Sequence, residues 1–123
     1  VNKFCISAVL NQPIPVWTSA LNQFRPYLSL RDAFKVIKFT IENNKFNNET
    51  YNVLTSNLTV KHIVKMIKIY KKNAKINYVK SKILNQLSYK INDNKFEKKF
   101  FKLKSNIQDD VKNTIKLFDN LNK

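Results

Sequence analysis

Few side chains in this sequence could do chemistry, and each sits in a context that limits it. Tyr78 and Lys82 have the Tyr-x-x-x-Lys spacing. On a helix that spacing puts an ammonium one turn from a phenol and helps the phenol act as acid or base. Here Tyr78 falls in the strand-like stretch Ile76 to Val79, and a chain with 21 lysines makes such matches by chance. His62 is the one histidine, near the start of an amphipathic helix beside Ile63, and reads as a boundary residue. Cys5, the one cysteine, has no histidine near it; it excludes an internal disulfide and cannot hold a metal alone. Tyr70-Lys71-Lys72 and Lys98-Lys99 read as solvated faces.

Two other positions carry more. Only two of the 23 basic residues are arginine, Arg25 and Arg31, both in QFRPYLSLRDAF. Guanidinium makes forked contacts to phosphate or carboxylate where lysine offers a point charge. Pro26 holds Arg25 extended, which makes Arg25 the expected anion contact. Arg31, in the first turn of a helix, reads as a surface residue or ion-pair partner. Trp17 lies between a proline and a polar loop, suited either to the core or to the wall of a pocket for a flat ring.

Elements that must position these residues follow from periodicity and punctuation. A helix is expected over residues 1–10, stopped by NQPIP. Pro15 to Trp17 reads as a short strand, 18–24 as a loop, and Tyr27-Leu28 as extended. Ser29 with Asp32 resembles a capping box. It opens a helix with Ala33, Phe34, Ile37 and Ile41 on one face, which ends in ENNKFNNE. Residues 50–54 have strand composition. SNLT opens a helix whose buried stripe is Val60, Ile63, Val64, Ile67 and Tyr70. Strands are expected at 76–79 and 88–91 and a small helix from Asp93. A last helix, capped by Ser105 and Gln108, carries Ile107, Val111, Ile115 and Phe118. The expected architecture is one α+β domain over residues 1–123, with short strands covered by amphipathic helices.

Composition narrows the function classes. With 43% hydrophobic residues and nine Phe, the chain has material for a core. No apolar run is long enough to span a membrane, and a reducing cytoplasm is the expected compartment. A net charge of +15 suits a nucleic-acid partner. The excess is nearly all lysine, however, accompanied by 18 asparagines and spread without blocks, as AT-rich coding would produce. There is no glycine, so there is no phosphate-cradling GxGxxG or Walker loop and no GxSxG elbow.

Blocks of the sequence resemble the C-terminal half of NAD-dependent epimerase/dehydratase proteins, the extended short-chain dehydrogenases that act on nucleotide sugars. VNKFCISAVLNQPIPVW is similar to that family's helix followed by "GKPLTVYG". RPYLSLRDAFKVI is similar to "TRDFVYVDD" and its helix, and YNVLTSNLTV to "YNVG-x-x-N-x-T-V". The tail from NQLSYKIND to NTIKLF resembles the closing strand and helix.

The resemblance implies that this chain is a substrate-binding region, with a Rossmann half upstream of Val1 holding NAD and the catalytic residues, so that no catalytic residue lies here. By position it implies that Pro15, Val16 and Trp17 lie along the nucleotide base, that Arg25 binds the diphosphate, and that Asn57 lies near the nucleotide. The expected partner is a nucleotide sugar, with no metal; the parent enzyme would be of a family that often dimerises through its Rossmann half. The family's "R-P-G-D/H" element falls on Asn85 to Ser88, without its arginine, and Asn11, Thr18 and Phe100 replace family glycines. A small basic nucleic-acid-binding module and a non-catalytic relic of the fold are the alternative readings.

Overall fold

In the computed structural model, residues 1–80 and 87–121 are described. Helix α1 (Asn2–Val9) buries Cys5, Ala8 and Val9. It ends where Asn11 turns into the left-handed region, φ 54°. There the Asn11 amide donates to Ala8 O and the Gln12 amide to Ser7 O, the Schellman closure that usually recruits glycine. Asparagine is the residue that best tolerates this backbone after glycine.

Strand β1 (Ile14–Trp17) alternates, with Ile14 and Val16 buried and Pro15 and Trp17 exposed. It pairs in parallel with β4 (Ile76–Val79), in the register Ile14–Ile76 to Trp17–Val79. A single 3₁₀ turn, Thr18–Ala20, leads on to β2 (Phe24–Tyr27). That strand pairs antiparallel with β3 (Ser56–Thr59), placing Arg25 opposite Leu58 and Pro26 opposite Asn57. The strand expected at 50–54 is therefore displaced to SNLT, the segment expected to open a helix. Thr59, its last residue, then caps α3 (Val60–Tyr70): its Oγ1 accepts from the His62 amide, while His62 Nδ1 accepts from the Thr59 amide.

Helix α3 supplies the centre of the core. Ile63, Val64 and Ile67 are buried, as the stripe predicted, with Val60 and Tyr70 packed at its margin. Against them lie Cys5, Ala8 and Val9 of α1, Ile14 and Val16 of β1, and Ile107, Val111 and Ile115 of α5 (Ile107–Leu121). Phe118 is half-buried at the edge of this cluster. The result is a small α+β domain of five helices and two separate two-stranded sheets among the described residues.

Helix α2 (Leu30–Glu42) departs from expectation. Its buried residue is Asp32, while Phe34, Ile37 and Ile41 remain exposed. Ser29 makes no side-chain cap bond. Asp32 is instead the acceptor at the centre of a tie across three segments. Thr55 Oγ1 donates to Asp32 Oδ2 at 2.6 Å, Ser105 Oγ donates to Asp32 Oδ1 at 2.7 Å, and the Ser29 amide donates to Thr55 Oγ1 at 2.8 Å. Ser105 is thereby diverted from the capping box expected with Gln108, and Asn106 Oδ1 accepts the Gln108 amide in its place. The end of α2 repeats the closure of α1. Asn44 sits at φ 49°, its amide donates to Ile41 O, and the Lys45 amide donates to Thr40 O.

A second aromatic cluster joins α2 to α4 (Asn94–Lys99). Phe39 meets Phe100 and Phe101 edge-on, and Phe96 and Tyr51 pack into the same group.

Candidate functional site

Arg25 is the best-positioned cation on the β2–β3 sheet. Pro26 keeps the backbone extended, so the side chain leaves the sheet towards the segment beginning at Leu87. Its Nη1 donates to Phe24 O at 2.9 Å and to Leu87 O, and its Nη2 donates to Gln23 Oε1 at 3.2 Å. The guanidinium also lies over the Tyr89 ring, 5.2 Å from its centroid. Guanidinium carries five N–H donors. Three are spent on these acceptors, which leaves Nε–H and one Nη2–H, neither engaged among the described residues.

The 88–91 segment, expected as a strand, is not one, but it is tied to the sheet edge. The Phe24 amide donates to Ser88 Oγ at 3.0 Å, and the Tyr89 amide donates to Phe24 O at 3.2 Å. Asn57 completes the tie: its Nδ2 donates to Ile91 O at 2.9 Å and its Oδ1 accepts the Ile91 amide at 3.1 Å. Both ends of the Asn57 amide are thus committed to the backbone. Lys90 Nζ stands 4.0 Å above the Phe24 ring. The half-buried Tyr27 phenol, on the same strand, is pushed up from its ordinary range by burial, against the opposing pull of Arg25.

The other sequence candidates fall elsewhere. Trp17, 39% exposed, projects from the β1–β4 sheet, a different sheet from that of Arg25. Pro15 shares its exposed face, whereas Val16 is only 1% exposed, so its side chain belongs to the core. Tyr78 is on β4 with Val16 as its partner in the ladder, so the one-turn geometry with Lys82 does not arise from a helix; Lys82 itself lies outside the described residues. His62 is a capping residue, with Nδ1 taken up as acceptor. Burial raises the pKa of the Cys5 thiol, which opposes a nucleophilic role. Arg31 makes a surface ion pair with Asp110 at 3.4 Å. Asn85 and Gln86, where the sequence resemblance would place an arginine element, are also outside the described residues.

Sequence reasoning did not find Gln23, Leu87 and Tyr89 as the residues that orient Arg25. They lie on either side of a gap of more than sixty positions, and no spacing rule connects them. Among the described residues no cluster of histidine, cysteine or carboxylates could hold a metal ion. No described helix is long and apolar enough to cross a membrane. A dinucleotide cofactor would need backbone approach at positions without a Cβ; the chain has no glycine to provide it, so these residues do not fit NAD. Neither a protein-family model nor a curated protein matches the chain.

Proposed function

We propose that this chain is the substrate-holding part of an NAD-dependent nucleotide-sugar epimerase or dehydratase, and that Arg25 grips the diphosphate. The carrying observation is the state of the guanidinium. Two backbone carbonyls and one amide oxygen fix its plane, a tyrosine ring supports it from below, and among the described residues Nε–H and one Nη2–H are not engaged. A guanidinium fixed in this way loses little rotamer freedom when it meets phosphate, and its fork suits two phosphoryl oxygens. Asn57 acts by holding the Ile91 backbone, and thus the segment that carries Tyr89. The redox chemistry belongs to residues and a cofactor outside this set.

Titration of the chain with UDP and with UDP-glucose, followed by NMR, tests the reading. Shifts should concentrate at Arg25 and Tyr89. Arg25→Lys, which keeps the charge and loses the fork, should weaken binding roughly tenfold, in line with about 1.5 kcal/mol for a charge-assisted pair. Equal affinity of Arg25→Lys and the parent would refute the role of Arg25. Binding of random single-stranded RNA with steep salt dependence, and none to UDP, would favour a basic nucleic-acid module.

A further inference from the structure

Acidic residues are missing from the middle of the chain. Between Glu49 and Asp93 stand nine lysines and no Asp or Glu, although the chain has eight acids in all. A coding bias towards lysine does not remove acids, so the charge of this stretch is left without local compensation. Such an excess marks a binding face only where the fold gathers it.

Helix α3 gathers it. Lys61, Lys65 and Lys68 recur at i, i+4 and i+7, so they share one face over about 10 Å of helix. All three are exposed, as is Lys72 just past the helix end. Among the described residues none of the four pairs with a carboxylate, whereas Lys71 bonds Asp119. Like charges at this spacing weaken a helix, and α3 carries them with no acid on the same face. Beyond Lys68 the row meets a hollow of about 400 Å³, lined by Ile69, Lys72 and the exposed amide side chains of Asn11 and Asn73.

We propose that this face binds a single-stranded nucleic acid, with its phosphates along Lys61, Lys65, Lys68 and Lys72 and an unstacked base at the Asn11 and Asn73 hollow. A straight, rigid row of cations suits the regularly repeated charges of a phosphodiester backbone. Side-chain amides hydrogen-bond the base edges that a single strand leaves open.

Other anionic partners fit less well. A duplex would have to admit α3 to its major groove. Ile63, Val64 and Ile67 instead hold α3 in the centre of the core, against α1, β1 and α5, so it cannot enter one. The same burial leaves Ile69 as the one large apolar side chain that α3 exposes, too little to insert into a lipid surface. A second copy of this chain would bring another +15 charge. The inference does not rest on the nucleotide-sugar reading, whose arginine lies on the β2–β3 sheet.

Fluorescence anisotropy with labelled uridine and thymidine oligonucleotides of about twelve residues tests it. Affinity should fall with salt at a log–log slope of about −3, from about −0.7 for each of four phosphates. Lys65→Ala and Lys68→Ala should each weaken binding severalfold and flatten the slope by about 0.7. Lys112→Ala, at an exposed position of α5, removes the same charge and should leave both unchanged. These positions are exposed, so near-ultraviolet circular dichroism should stay the same in all three. Equal binding of the two strands would identify the backbone as the ligand, and tighter uridine binding would add the 2′-hydroxyl. UDP shifts at Arg25 should persist in Lys65→Ala, and oligonucleotide binding in Arg25→Lys, so either reading can fail alone. Absence of binding, an equal effect of Lys112→Ala and Lys65→Ala, or equal binding of a duplex would overturn the proposal. So would equal competition by polyglutamate of matched charge, or binding to mixed phosphatidylcholine and phosphatidylserine vesicles alone.

Discussion

At Asn11 and Asn44 the backbone is left-handed at the position where each helix must turn off. Most residues pay about 1–2 kcal/mol for that conformation, and asparagine pays less because its short amide bonds locally. Asn11→Ala should therefore destabilise the protein by about 1 kcal/mol, and Asn11→Gly should be neutral or slightly stabilising. Urea denaturation of the two variants checks this, and an unchanged Asn11→Ala midpoint would show that the closure contributes nothing. Asn11 was readable beforehand as standing at a glycine position in the resemblance. The fate of Asp32 was not. Ser29-x-x-Asp32 has the spacing of a cap, yet the carboxylate turns inward to Thr55 and Ser105, which only tertiary packing brings within reach. Likewise the extended backbone at Arg25 was legible from Pro26, while the acceptors of its side chain were not, because Leu87 is distant in sequence.

Elements were more legible in kind than in place. Periodicity locates α2, α3 and α5, but it cannot say which of two apolar faces meets the core. In α3 the stripe is buried; in α2 the comparable stripe is left outside and Asp32 goes in. Strand composition at 50–54 was misleading because an aromatic-rich stretch can equally join an aromatic cluster, as Tyr51 does with Phe96 and Phe100. The short polar SNLT becomes a strand because β2 lies alongside to pair with it.

The loop after α2 is linked to α4 by Glu49, which bonds Lys95 at 3.0 Å and also Lys99. Its hydrogen bonds to Lys99, then to Lys95, lower its pKa from 4.5 to about 2, and Glu49 raises that of Lys99 in turn. A lowered carboxylate pKa stabilises the fold above pH 4.5, and the contribution fades as pH falls from there through about 2. The raised Lys99 acts in the opposite window: its contribution is complete below 10.5 and fades as pH rises through its folded value. The site is exposed, so salt should screen both effects. NMR titration of Glu49 should show the low midpoint, moving up towards 4.5 in Lys99→Ala; a midpoint already at 4.5 in the parent would refute the link.

At the scale of the whole molecule, the α+β class could be read from the alternation of apolar runs. The separation into two small sheets could not, because pairing partners are not encoded locally. The pairings also form a nest. Phe24 meets Thr59, Ile14 meets Ile76 outside that, and α1 packs on α5 outside both. This nesting sets an order of assembly. Closing a chain loop costs entropy that grows with its length, about 0.6 kcal/mol per doubling, and an inner closure shortens the path for the next. The chain should therefore zip from β2–β3 outwards, with the helix pair at the two ends joining last. Core truncations should report this in folding kinetics: Leu58→Ala should slow folding, while Val111→Ala, on the outermost arc, should mainly speed unfolding. Were Val111→Ala the one to slow folding, the ends would be the nucleus. A protein assembled in this order is guarded last at its two ends, so partial unfolding should begin by parting α1 from α5.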